Sequence, residues 1–335
     1  QNARVLCVFV GHGMLAFALA ALFAEWRGWP ARRALVFGVV AGAFATLPDV
    51  DVAYALFAID GMTVVRAADP DAFWSAANRV HRSITHSAVI AALAAPAFGL
   101  VTTRTADARR LWVSRAVGVL ALAGLLGVAV AVSGTLGGIV MSAFVLGGVV
   151  LAAAVRRSTQ LSARALAVAA LIGLFTHPWG DLFTGEPPAL LYPFSVPVFD
   201  GRLGLAADPT LHLLGAFAVE LATIWFAVFV FAHLTGRSIG TLSDPSVTLG
   251  AAYGAAPLLL IPPTLDVSYH FVFSILAVGL GCAVFSWLRS ASRPRFGLPR
   301  PTQRPDRSAA LSFVTVGLAG ITVALAGYTA VYLVL

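Results

Sequence analysis

Apolar stretches of roughly 17–25 residues, the length that crosses a bilayer as a helix, recur along this chain from end to end. That recurrence restricts the fold severely. Inside hydrocarbon every backbone N–H and C=O must be paired within the protein, which leaves helices or a closed barrel. A barrel needs a series of alternating apolar and polar segments, and no such series occurs here. The expectation is an all-α polytopic membrane protein of about ten transmembrane helices, at roughly 5–25, 33–48, 84–103, 113–133, 136–155, 164–179, 211–234, 246–263, 267–288 and 309–334. Only 11% of residues are charged, against about 25% in soluble domains, and the mean hydropathy is +0.88.

The formal charge of +7 does not indicate nucleic-acid binding. All 22 basic residues are arginines placed in short loops between apolar spans, where they set orientation. Alternate loops divide them 17 to 5, the minor set being Arg4, Arg66, Arg79, Arg82 and Arg202. The major set is expected in the cytoplasm, with both termini outside. Trp26, Trp29, Trp112, Trp179 and Trp287 fall near span ends, where amphipathic rings prefer to sit. Segment 52–66 is apolar but broken by Asp60 and Gly61; it reads as re-entrant, interfacial or an extra span. The loop 180–210 is rich in proline and reads as an ordered cover on the outer surface, and 289–308 as a basic cytoplasmic linker. Gly134, Gly137, Gly138, Gly147, Gly148, Gly250 and Gly254 are expected where helices pack closely. Cys7 and Cys282 lie in apolar spans and need no disulfide. The first span lacks a cleavable-signal pattern. Two domains are expected: a helical metal-site domain over 1–205 and a four-helix extension over 206–335, packed as one unit.

Against this apolar background stand Asp49 and Asp51, His81 and His86, and His177 and Asp181, each at the edge of a span. His12 lies about seven residues into the first span, or ~10 Å at 1.5 Å per residue. Ionisable groups are costly there and read as functional, and imidazole with carboxylate suits divalent transition metals. The arginine-derived topology puts all of these residues on one side of the membrane. Each motif alone also fits a bland role in packing or in a helix-end turn. Their common side favours a metal or proton-handling site.

Local geometry refines the picture. Asp49 and Asp51 would share a face only if the chain past Pro48 is extended. His81 and His86 would converge if Ser83 caps the third helix. His177 and Asp181 would stack on a helix, although His177, preceding Pro178, is pushed towards extended geometry. Arg82 and Arg202 face outward and suit an anionic substrate or interfacial anchoring. His212 and Glu220 form a second pair; His270 and His233 stand further off.

At these residues the chain resembles the membrane-bound metal-dependent hydrolase family often called YdjM-like. The matching positions are His12, Leu47-Pro48-Asp49-Val50-Asp51, His81-Arg82-Ser83-Ile84-Thr85-His86-Ser87, His177 with Asp181, Thr184, and Pro193-Phe194. The resemblance covers roughly the first 200 residues and leaves the last four spans outside. It departs from the family at Val52, where such proteins often carry His, and at Pro178. It implies metal-dependent hydrolysis.

The resulting expectation is an enzyme: a hydrolase at the outer membrane interface acting on a lipid or lipid-linked phosphoester. His12, Asp49, Asp51, His81, His86, His177 and Asp181 would ligate one or two divalent ions, Zn²⁺ ahead of Mn²⁺ or Fe²⁺. Asp49 or Asp181 would be the general base, with Thr85, Ser87 and Thr184 supporting the ligands. The competing classes are an ion or proton transporter, and a non-catalytic metal-binding protein, using the same cluster.

Overall fold

The computed structural model describes residues 9–51, 82, 84–185, 187–239, 244–291 and 307–335. Every regular element among them is helical: α1 (Phe9–Trp26), α2 (Ala31–Ala45), α3 (Ala88–Val101), α4 (Ala108–Ser158), α5 (Ala163–Thr176), α6 (Pro178–Asp181), α7 (Pro209–Thr235), a 3-10 helix (Pro245–Ala255), α8 (Ala256–Leu259), α9 (Tyr269–Ala291) and α10 (Arg307–Tyr332). Among the described residues, five stretches are long and apolar enough to cross a membrane: Ala31–Asp51, Ala108–Ser158, Pro209–Thr235, Tyr269–Ser290 and Ala309–Tyr332. The chain is a helical membrane protein. Segment 52–66 and His81 lie outside the described residues.

Helix ends follow local chemistry. Ser162, Asp107 and Asp208 each accept a backbone N–H as N-caps of α5, α4 and α7, satisfying a donor that the first helical turn leaves open. The cap of α3 corrects an expectation. The helix starts at Ala88 and Ser87 caps it, accepting from Val89 N and Ile90 N, while Ser83 lies outside the described residues. Ser87 also donates to the Tyr192 carbonyl at 2.8 Å, which fastens the loop after α6 to the start of α3.

The glycines divide in a way that their spacing did not predict. Gly134 has φ 64 and ψ −159 in the middle of α4, and a Cβ there would meet nothing within 4 Å. It is a reversal point, not a packing position. A Cβ at Gly137 would lie 2.6 Å from the Ala129 carbonyl, eight residues back, where a straight helix would hold the two ~12 Å apart. At the other end of α4, Arg115 and Arg156 both donate to carbonyls at 102–103. The long helix is therefore two legs of a hairpin, matching the separate spans expected at 113–133 and 136–155.

The chain divides into two compact units, Gln1–Leu203 and Gly204–Leu335. In the first, α5 is central and packs on α1, α2 and α3, while α3 also packs on α4. Close approach is made by absent side chains. A Cβ at Gly173 would fall 2.2 Å from the Ala41 carbonyl and 2.8 Å from Ala45 N, and one at Gly42 would fall 2.8 Å from the Gly13 carbonyl. These contacts draw the ends of α1, α2 and α5 together. In the second unit α10 packs on α9, α7 and the 3-10 helix. The span expected as α-helix over 246–263 is 3-10 through Ala255 and α-helical only for Ala256–Leu259. Here Gly250 backs directly onto α10, its Cβ position 2.4 Å from the Gly320 carbonyl.

Gly173→Ala is expected to lower stability by about 1–3 kcal/mol, the usual cost of overpacking, because α2 backbone must retreat. Gly124→Ala, where nothing lies within 4 Å, should be neutral or stabilising by up to about 1 kcal/mol. Thermal unfolding of the detergent-solubilised variants checks the contrast; equal behaviour would contradict the packing described.

Candidate metal centre

The centre forms where four segments of the first unit meet. α1 supplies His12, one turn from its start. The turn of 3-10 helix following α2 supplies Asp49 and Asp51. The segment before α3 supplies Arg82, Thr85 and His86, and the junction of α5 with α6 supplies His177 and Asp181. His12, Asp51, His86, His177 and Asp181 are each at most 3% exposed. Five ionisable groups in an apolar interior are costly unless they are paired, hydrogen-bonded or ligating.

His177 is the best-defined of them. The residue before a proline is normally pushed out of the helical region, and an extended conformation was expected. It is instead helical, with φ −56 and ψ −52, and Pro178 opens α6 as its first residue. The imidazole accounts for this: Nδ1 lies 2.6 Å from the Ala45 carbonyl, which as one of the last carbonyls of α2 has no partner inside its helix. Since the carbonyl can only accept, Nδ1 carries the proton and Nε2 presents a lone pair. With the backbone helical, His177 and Asp181 stack one turn apart, Nε2 to Oδ2 3.6 Å.

Asp49 and Asp51 do not share a face. The 3-10 turn rotates them apart, and they meet the same ring, His86, at its two nitrogens. Asp51 Oδ2 is 3.4 Å from His86 Nδ1 and accepts the Thr85 hydroxyl at 2.9 Å, itself 3.0 Å from the same Nδ1. This places the proton of His86 on Nδ1 and turns Nε2 towards Asp181 Oδ2 at 3.4 Å and Asp49 Oδ1 at 3.8 Å. Asp49 Oδ1 is also 3.5 Å from His177 Nε2.

These donor spacings are close to the edges of a metal tetrahedron. Bonds of ~2.0–2.1 Å in tetrahedral geometry separate ligand atoms by about 3.3–3.4 Å. Moreover, Asp49 Oδ2, His177 Nε2 and Asp181 Oδ2 are buried with no hydrogen-bond partner. His177 Nε2 and Asp181 Oδ2 are orphaned acceptors 3.6 Å apart, with Asp49 Oδ1 3.5 Å from the same His177 nitrogen; such a group is electrostatically unfavourable alone and complementary to a cation. Two overlapping ligand groups, Asp49–His86–His177 and His12–His177–Asp181, each have donor atoms within 4.8 Å of one another, and Asp181 Oδ2, 3.4 Å from His86 Nε2 and 3.6 Å from His177 Nε2, joins them. The residues thus fit a metal ion.

His12 and Arg82 meet the other oxygen of Asp181. His12 Nε2 is 3.5 Å from Oδ1, and its ring lies on that of His177, centroids 4.2 Å apart. Arg82 Nη2 is 3.1 Å from Oδ1. Arg202 is exposed, away from such burial. His212 is buried in the second unit, where Nδ1 accepts the Leu205 N–H at 3.0 Å; Glu220 lies two turns further along α7. The supporting parts that sequence reasoning missed are the Ala45 carbonyl and Gly173. The one available signal was a glycine four residues before His177.

A helical membrane protein with a buried His/Asp centre built from its N-terminal helices is the class these observations define. Residues 8–243 match the model of the YdjM inner membrane protein family. The chain belongs to that family, and the match runs through α7, beyond the first 200 residues that the motifs cover. Searches of curated proteins and of solved structures find no match.

Asp181→Asn is expected to abolish stoichiometric metal binding, since it weakens the oxygen shared between the two histidines. Asp51→Asn leaves the donor atoms in place and should weaken binding by about 10–100-fold, as loss of a histidine's supporting partner does elsewhere. Chelator-competition titration separates the two; equal losses would contradict the geometry.

Proposed function

We propose that this protein is a metal-dependent hydrolase holding one divalent ion, Zn²⁺ ahead of Mn²⁺ or Fe²⁺, at His86 Nε2, His177 Nε2 and Asp181 Oδ2. The observation that carries the reading is the convergence of these donors, with Asp49 Oδ1 3.5 Å from His177 Nε2 and 3.8 Å from His86 Nε2 beside them. Two imidazoles and one carboxylate make a set that elsewhere leaves a fourth position open for catalysis. A single site is favoured because His177 has only one nitrogen to give, its Nδ1 being held by Ala45, while both candidate groups require it.

A bound ion of this kind supplies Lewis acidity, polarising a substrate oxygen and making water ionisable near neutral pH. The chain's own groups divide the remaining work. Asp49 flanks the centre with Oδ2 uncommitted, and takes the proton of the attacking water as general base. Asp181 is less suited to that role, since its Oδ1 is engaged by Arg82 and His12. His12, against that same oxygen, is placed to return a proton to the leaving group. The apolar surroundings exclude bulk water and strengthen each of these interactions.

The substrate class follows from location. The full reading has about ten spans, the arginine-rich loops in the cytoplasm and the site at the outer interface, because the ligand-bearing ends lie opposite those loops. A site at that depth suits a lipid or lipid-linked ester, and a phosphoester best matches metal-assisted charge stabilisation.

Purified protein assayed against lipid phosphoesters tests this reading. Asp49→Asn should keep its metal while losing about 10²–10⁴-fold in turnover, whereas His86→Ala should lose both. Cation or proton flux in proteoliposomes, without turnover of any ester, would replace hydrolysis by transport.

A further inference from the structure

An outward-facing arginine beside a metal centre suggests an anchor for an anionic substrate, but the contacts of Arg82 point elsewhere. Its guanidinium is buried and turned inward on the end of α6. Nη1 donates to the Asp181 carbonyl at 3.1 Å, Nη2 donates to Thr184 Oγ1 at 3.0 Å, and Nη2 ion-pairs with Asp181 Oδ1 at 3.1 Å. The same residue holds φ 68, a left-handed conformation uncommon outside glycine and retained where the surroundings over-determine it. Its main chain is also tied, the N–H directed at Asp51 Oδ2 at 3.4 Å and the carbonyl accepting Ala189 N–H at 3.1 Å. Gly185 leaves the room: a Cβ there would lie 2.2 Å from Arg82 Nη1.

Asp181 is the carboxylate whose orientation matters most, because its two oxygens face different neighbours. Oδ2 points to His86 and His177, and Oδ1 to His12 and Arg82. A carboxylate left to itself can turn both oxygens to a cation. One tied through a rigid, always-charged fork cannot do so without losing that pair.

We propose that Arg82 is the positioning residue of this centre: by holding Asp181 Oδ1 it keeps the carboxylate monodentate towards the metal and preserves an open coordination position. The inference rests on the metal reading above. It assigns Arg82 to the protein's own ligand and not to the substrate. Thr184 and Gly185 belong to the same device, one as second anchor and one as the space the guanidinium fills. Lysine cannot replace this arrangement, because a single ammonium cannot hold the carbonyl, the hydroxyl and the carboxylate in one plane.

Co²⁺ titration of the full chain in detergent, followed by visible absorption and by chelator competition, tests the proposal. Four-coordinate Co²⁺ absorbs far more strongly than five- or six-coordinate Co²⁺, so the spectrum reads the denticity of Asp181 directly. Wild type should give the intense spectrum. Arg82→Lys and Gly185→Ala should each weaken binding by about 10–100-fold and lose most of the intensity. Arg82→Gly, which relieves the backbone conformation yet removes the fork, should do the same. If it does not fold, the other two variants decide. Wild-type affinity and spectrum in Arg82→Lys and Gly185→Ala would overturn the positioning role while leaving the metal reading intact. Failure of the wild-type chain to bind Co²⁺ or Zn²⁺ would overturn both.

Discussion

The first unit depends on one contact, the hydrogen bond from His177 Nδ1–H to the Ala45 carbonyl. It exists because Gly173 lets α5 lie backbone to backbone on α2, bringing an unpaired helix-end carbonyl to a ring that needs an acceptor. Several consequences follow from it. The proton is assigned to Nδ1, Nε2 is released towards the carboxylates, and the backbone of a residue before proline is kept helical. Asp181 is thereby brought under His177. Without that carbonyl, a buried imidazole at the end of α5 would have no fixed tautomer and no fixed direction.

The rest of the centre repeats the same logic with different partners. Asp51 and Thr85 do for His86 what Ala45 does for His177, setting the proton on Nδ1. Both imidazoles are thus backed from α2 and the turn that follows it, so the cluster is assembled only when α2 packs with α5 and with the segment before α3. Asp49 stands apart: it faces the two histidines through Oδ1, with Oδ2 unsatisfied. A buried carboxylate oxygen with no donor is hard to explain as structure. It is easily explained as a group waiting for a proton or a cation.

Much of this was legible in the sequence, because membrane burial makes polarity conspicuous. Apolar runs located the helices, including both legs of α4, and the scarce His and Asp residues marked the centre. What escaped was direction. A shared face for Asp49 and Asp51 depended on an extended chain past Pro48, and a tight 3-10 turn instead sends them to opposite nitrogens of one ring. Pro178 argued against a helical His177, and a tertiary hydrogen bond overrode that local preference. Ser83 was the cap expected for the third helix; the helix begins at Ala88, and its cap Ser87 is held by the loop carbonyls at 190–192. Gly134 and Gly148 look alike in sequence, yet one reverses the chain and the other lies against the Phe98 ring. Arginine beside a site suggests substrate binding, and only coordinates reveal that Arg82 faces Asp181.

The central claim is that two imidazoles and a carboxylate from two segments of the chain bind one ion through His86 Nε2, His177 Nε2 and Asp181 Oδ2. X-ray absorption at the metal edge of the purified, zinc-loaded protein addresses it most directly. The account predicts a first shell of nitrogen and oxygen only, at about 2.0–2.1 Å, with outer-shell scattering from two imidazole rings. A sulfur shell, or a spectrum lacking imidazole scattering, would contradict it.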